Sequence, residues 1–278
     1  MTNARNLTTS TRQTKESPVA IYTVALSKGG STKTTTAAEI AAELARRGRR
    51  VLAIDLDQQG NFSTRLGADD DTEVVAVASE VMTGDATVRE AAVPSPSVPG
   101  VDLLVGTYDL AGLDQRPEVV TALRDQLPQV VGEWDDVVID TPPALGLVTL
   151  AALAAADVVV AAVACETEAY DQLRRLVSFV DERVARMLNP GQQVHWIVPT
   201  RYDSRRLLDR DVVEMLNKDH PGRVSSPIRE AVAARDAYTS GQPVSVYAPG
   251  SGIAQDYAAA LAPILDVHRV TIKTTSTN

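Results

Sequence analysis

Short apolar runs alternate along the chain with longer stretches in which apolar positions recur at helical spacing. The runs are AIYTVALS (20–27), RRVLAID (49–55), VDLLVG (101–106), DDVVID (135–140), DVVVAAVA (157–164) and QVHWIV (193–198). Each is brief and rich in Val or Ile, as strands buried on both faces should be. Helical length and period fall at 34–47, 117–131, 168–188 and 207–218. Strand and helix in repeated alternation predict an α/β fold, a doubly wound, mostly parallel sheet flanked by helices and joined by right-handed crossovers. Ligands of such sheets bind beyond the carboxyl ends of the strands. The Pro/Ser-rich stretch 93–100 reads as a surface loop. Residues 1–17 are rich in Thr, Ser, Asn, Arg and Lys without apolar period, and 269–278 read similarly. The expected organisation is therefore a flexible N-terminal arm (1–17), a single domain (18–268) and a flexible C-terminal tail (269–278).

The 278 residues suffice for one large core, and 44% apolar against 23% charged residues separates the chain from disordered and fibrous classes. One cysteine, Cys165, excludes an intrachain disulfide or a metal site built from cysteines of one chain. It ends the run VVVAAVAC, where a buried thiol is the plain expectation. The apolar stretches fall short of the roughly 18 to 20 residues that cross a bilayer, and no basic-then-apolar leader opens the sequence, so a cytoplasmic location is expected. The net charge of −9 argues against coating nucleic acid with the whole surface. Between residues 170 and 240, however, twelve Lys/Arg face ten Asp/Glu, which leaves room for a local basic patch.

The strongest chemical signal follows the first strand. There, KGGSTKTTT (28–36) leads into an Ala-rich helix. A glycine turn between strand and helix lets backbone amides point at an anion, and the helix N-terminus adds partial positive charge. Gly29, Gly30, Ser31, Thr32, Lys33, Thr34 and Thr35 are the expected phosphate cradle. Lys33 reaches toward the β- and γ-phosphates, and the Thr34 hydroxyl is placed to ligate Mg²⁺. The common pattern has Gly immediately before that lysine, where Thr32 stands here. The segment fits instead the deviant form K-G-G-x-x-K-T, which carries an additional lysine, Lys28.

Two further strands end in carboxylates at the same sheet edge. The second runs into DLDQQGN, giving Asp55 and Asp57, and a later one ends at Asp140 before TPPALG. Such groups hold Mg²⁺ or orient an attacking water, although a solvated turn would look similar.

These blocks together resemble the ParA-type partition ATPases, in the wider group that includes MinD and the nitrogenase iron protein. The resemblance runs from about residue 18 to 265 and takes in KGGSTKTTT, DLDQQGN, WDDVVIDTPPALGLVTLAAL, RYDSR (201–205) and SGQPVSVYAPGSG (240–252). It implies a P-loop nucleoside triphosphatase that uses ATP/ADP and Mg²⁺, turns over slowly and closes as an ATP-bound homodimer. Lys28 would then cross to the partner's nucleotide, Lys33 would serve its own, Asp57 would orient the water, and Thr34, Asp55 and Asp140 would support the metal. Pro199, Thr200 and Pro249 are expected near the adenine. Many relatives have Gly at the position of Thr32 and Pro at that of Gln58. A Cβ at Thr32 restricts the loop, so slow hydrolysis is expected.

The resemblance also implies ATP-dependent, non-specific binding of double-stranded DNA by arginines of the C-terminal third, release when a ParB-like centromere-binding adaptor stimulates hydrolysis, and a nucleoid-associated location. Arg205 falls on one such position, with Arg206 beside it. Another family arginine is replaced by Ala233, flanked by Arg229 and Arg235. Arg205 and Arg206 also read simply as the solvated start of the helix 207–218. The short arm before the first strand leaves no room for an operator-reading domain. A MinD-like membrane-associated positioning ATPase is the alternative. It calls for an amphipathic C-terminal helix, which the Thr-rich segment after residue 265 does not suggest, so no stable membrane association is expected.

Overall fold

The computed structural model describes residues 19–28, 30 and 32–274, with side chains up to residue 266. The expected arm (1–17), Gly29, Ser31 and the end of the tail (275–278) lie outside the described residues. The fold is seven strands covered on both faces. They are β1 (Ala20–Ala25), β2 (Val51–Asp55), β3 (Val93–Pro94), β4 (Val101–Leu104), β5 (Asp136–Asp140), β6 (Val158–Ala164) and β7 (Trp196–Thr200). Their order is β3-β4-β2-β5-β1-β6-β7, parallel throughout except for the antiparallel pairing of β3 with β4.

Strand side chains alternate between two cores. On β2, Val51 and Ala53 join the core built on Ile40 and Leu44 of the helix Lys33–Arg46 and on Tyr257 and Leu261 of the last helix. Leu52 and Ile54 face the opposite way, toward Leu123, Val130 and Val148. Because both faces are dry, the strands need no polar side, which is why they read as continuous apolar runs.

Both edges of the sheet are occupied. β3 is two residues long, and its Pro94 has no amide hydrogen to offer. Outside β7, the segment 223–228 lies against the strand, with Ile197 N donating to the Arg223 carbonyl (2.8 Å), Ser225 N to the Ile197 carbonyl (2.9 Å) and Ile228 N to the Pro199 carbonyl (2.8 Å).

Three expectations about elements are corrected. The helix expected over 117–131 is three short pieces, Pro117–Thr121 and Leu127–Val130 in the tighter 3₁₀ form around the α-helical Ala122–Gln126. Pro128 removes a donor and restrains its predecessor. The helix expected over 168–188 is α-helical over Ala169–Phe179 and widens to a π form over Val180–Ala185. The loop expected at 93–100 begins with β3. The last helix is Gly252–Thr274, so its end overlaps the expected tail (269–278).

Candidate nucleotide site

β1 leads into the loop, and the loop turns into Lys33–Arg46 at Thr32, whose backbone is left-handed (φ 66°, ψ 11°). This conformation is easy for Gly and costs a residue with a Cβ on the order of 1–2 kcal/mol. Here the side chain offsets part of that cost, because Thr32 Oγ1 shares a hydrogen bond of 2.6 Å with Thr200 Oγ1 at the end of β7, two strands from β1. The substitution singled out in the sequence is therefore a strained position held by a partner. Gly30 is left-handed too (φ 72°).

Lys33 is buried, and its Nζ donates to the Lys28 carbonyl (2.9 Å), folding the side chain back over its own loop. Burial lowers its pKa, against the pull of Asp140 and Asp57. Thr34 Oγ1 donates to Asp140 Oδ2 at 2.7 Å. A hydroxyl that donates its proton still has lone pairs for a cation. The other oxygen, Asp140 Oδ1, is buried without a hydrogen-bond partner. Burial and then the charge of Asp55 push the Asp140 carboxyl up to about 8. A divalent cation beside these groups would reverse that penalty, so the donor set fits Mg²⁺. Among the described residues no three His, Cys, Asp or Glu form a metal site by themselves. A cation at Thr34 would accordingly draw its remaining ligands from phosphate oxygens and water.

Strand register sets Asp55 beside Asp140, and the chain engages both carboxylate oxygens of Asp55. Its Oδ2 accepts from Ser63 N and Ser63 Oγ (both 2.8 Å), and its Oδ1 accepts from Asp57 N (3.1 Å). Gly106 packs against it so closely that a Cβ there would stand 2.7 Å from the carboxyl carbon. Asp55 thus ties down the loop that presents Asp57. Asp57 Oδ1 accepts from Gln59 N (3.0 Å), and the residue lines a cavity of about 540 Å³ together with Lys33, Thr34, Gln58 and Arg65.

Thr35 and Thr200 line a second cavity of about 420 Å³, on the other side of Thr32. Pro199 is buried within β7, and Pro249 is exposed, lining neither cavity. Of the three residues expected near the adenine, only Thr200 faces a cavity of this site.

Lys28 is held within its own subunit. Its Nζ lies 2.5 Å from Glu166 and 3.3 Å from Glu168, and Glu166 also accepts from Arg201 (2.9 Å). Hydrogen bonds from Lys28, aided by Arg201, keep the Glu166 carboxyl below its ordinary value. The sequence reading missed Glu166. The available signal was its place just after β6, at the same carboxyl edge as the other site groups. Burial pushes the Cys165 thiol up to about 12, which leaves it unreactive.

Of the expected DNA-binding arginines, Arg205, Arg206 and Arg229 border one pocket, Arg229 and Arg235 border the second cavity of the nucleotide site, and most are already partnered. Arg205 forks onto Asp203 (2.9 and 2.8 Å), Arg229 onto Asp256 (2.5 and 2.9 Å), and Arg206 lies 3.8 Å from Asp203 and 3.6 Å from Glu230. Arg235 is exposed and borders the second cavity.

A parallel sheet, a glycine-bearing loop feeding a helix and a Thr–Asp pair beneath it define a P-loop nucleotide-binding protein. The sequence model of the AAA domain matches residues 19–193. The chromosome partitioning protein ParA of Caulobacter vibrioides is 36% identical over 241 residues, covering 83% of this chain and 88% of its own. The sporulation initiation inhibitor protein Soj of Bacillus subtilis is 33% identical over 242 residues, 85% and 94% of the two chains. Among solved structures, cobyrinic acid a,c-diamide synthase from Mycobacterium smegmatis with bound ADP and magnesium superposes with a TM-score of 0.71 at 33% identity, covering 83% and 91%. The chain belongs to the ParA-type partition ATPases.

Proposed function

We propose that the protein is an ATP-driven DNA-segregation switch: ATP binding closes a sandwich homodimer, the dimer holds DNA without sequence preference, and hydrolysis, stimulated by a centromere-binding adaptor, releases it. The observation that supports this best is the division of the two loop lysines. Lys33 folds into its own phosphate cradle, whereas Lys28 is turned out of it, its side chain 35% exposed and held, among the described residues, by the carboxylates of Glu166 and Glu168. A lysine so placed is free to serve a second subunit once those ion pairs exchange. Added positive charge on the transferring phosphoryl group is what such hydrolysis needs.

In this reading Lys33, Thr34 and the loop amides hold the β- and γ-phosphates, with Gly29 and Ser31 completing the cradle. Asp140 positions Thr34, and Asp57 orients the water that converts ATP to ADP and phosphate. Mg²⁺ would be held at Thr34 beside Asp140 and would supply charge neutralisation for the phosphates. Arg205, Arg206, Arg229 and Arg235 meet DNA phosphates, and the protein works on the nucleoid.

The test is DNA co-sedimentation with ATP, ADP or no nucleotide, comparing wild type with Lys28→Ala. Retention is expected only with ATP and only with Lys28 present, accompanied by release of ADP and phosphate without any second substrate. Equal retention in all three nucleotide states would sink the switch.

The MinD-like alternative gains one observation, that the last helix continues to Thr274. No helix among the described residues is long and apolar enough to cross a membrane. Flotation with anionic vesicles separates the two readings, and under the partition reading the protein stays in the bottom fraction.

A further inference from the structure

Arg65 ends the short helix Asn61–Arg65 that follows the Asp57 loop. Its Nη1 is buried without a hydrogen-bond partner. The guanidinium is braced instead of bonded: it lies over the Tyr238 ring, 4.7 Å from its centre, and the Tyr238 hydroxyl donates to Asn61 Oδ1 (2.7 Å) at the start of the same helix. Neither nearby carboxylate bonds it, although Asp140 keeps one oxygen, Oδ1, without a hydrogen-bond partner. Glu39 accepts from Val244 N (2.5 Å) and Ser245 N (3.3 Å), and Asp140 accepts from Thr34.

A guanidinium carries five donors and stays charged, so burying one without an acceptor is costly unless something supplies the acceptor. Burial accordingly lowers its pKa from the ordinary arginine value. Its position says what that acceptor is. Arg65 lines both cavities, the one containing Lys33, Thr34 and Asp57 and the one containing Thr200, Ile228 and Arg235, as do Arg201, Thr32 and Thr35. Arg65 therefore stands at the junction between the terminal-phosphate end and the cavity beyond it, where a nucleotide spanning the two carries its innermost phosphate. An arginine fork matches phosphate oxygens in geometry as well as charge.

We propose that Arg65 binds the α-phosphate of the nucleotide held in its own subunit, making it a binding residue for nucleoside di- and triphosphates alike. This rests on the nucleotide-site reading above. It assigns Arg65 to affinity, while Lys28, Lys33 and Asp57 keep the chemistry.

The test measures, by calorimetry, the affinity for ADP and for a non-hydrolysable ATP analogue in wild type, Arg65→Met, Arg65→Lys and Lys33→Ala, with the melting temperature of each protein without nucleotide. Arg65→Met is expected to weaken both ligands alike, by about 10- to 100-fold, the loss expected for a charge-assisted hydrogen-bond pair. Its nucleotide-free melting temperature should stay the same or rise, because an unpaired buried charge has been removed. Arg65→Lys should recover part of the affinity. Three results overturn the proposal: Arg65→Met binding ADP like wild type while Lys33→Ala does not; a loss confined to the ATP analogue, which moves the contact to the γ-phosphate; or a fall in nucleotide-free melting temperature that accounts for the weaker binding. A wild type that binds neither ligand removes the nucleotide-site reading itself, and this inference with it.

Discussion

The nucleotide cleft and the arginine-bearing surface of the C-terminal third both carry cationic side chains, and these are kept in opposite states. In the cleft, Lys33 is buried with a pKa lowered by burial, and Arg65 has a buried donor with nothing to bond. On the surface, the Arg205 side chain is 88% exposed and already forked onto Asp203. A desolvated, fixed cation binds one anion in one geometry, because low dielectric strengthens the interaction and nothing has to reorganise. A hydrated cation in an exposed ion pair is weakly held, exchanges readily between a carboxylate and a phosphate, and is screened by salt. The first state suits a defined ligand. The second suits a polymer bound without regard to sequence.

This contrast is open to attack at several points. The largest effect is expected from Lys33→Ala, which removes the buried cation at the terminal phosphates. Nucleotide affinity should fall on the order of 100-fold or more, as for a buried charged group, and calorimetry that finds it unchanged would remove the cleft from consideration. Next comes Arg205→Ala with Arg206→Ala. If both meet DNA phosphates, the slope of log affinity against log salt should become shallower by about 2, roughly 1 for each phosphate no longer neutralised, and nucleotide affinity should not move. An unchanged slope means the surface is ordinary helix solvation.

A smaller effect is expected from Glu166→Gln, which loosens the clasp on Lys28. Sedimentation with a non-hydrolysable ATP analogue should show dimers at several-fold lower protein concentration than wild type. The direction is diagnostic, since a carboxylate that instead touched the partner would make dimers weaker. Thr32→Gly should matter least for stability, because relief of the left-handed backbone and loss of the bond to Thr200 are each on the order of 1 kcal/mol and opposite in sign. Melting should shift little while ATP turnover rises, and a turnover already high in wild type and indifferent to the change would dispose of Thr32 as the brake.

The cleft was far more legible in the sequence than the surface, for a physical reason. Strand ends are fixed by apolar runs, and a sheet edge gathers whatever ends those runs, so Lys33, Thr34, Asp57 and Asp140 could be placed together from spacing alone. What Asp55 does could not be read that way, because its partners Ser63 and Gly106 come from elements without a motif of their own. Arg65 was hidden for a similar reason, since its brace, Tyr238, lies far along the chain. The helix Leu147–Ala155 escaped detection because it is apolar on nearly every side, and a helix without a polar face has no period to detect. The arginines could be counted but not weighed, since Glu230 and Asp256 reach Arg206 and Arg229 only in the folded chain.

The two occupied edges of the sheet bear on how such a protein avoids assembling by accident. A parallel sheet this apolar would invite strand-to-strand annealing with other copies if its flanks were bare. With a proline at one border and the chain's own segment seated along the other, that route is blocked at both edges, and the proposed homodimer would have to form through side chains instead. Polymerisation by backbone pairing is hard to reverse. Association through side chains that a bound nucleotide repositions can be made and undone with every turnover.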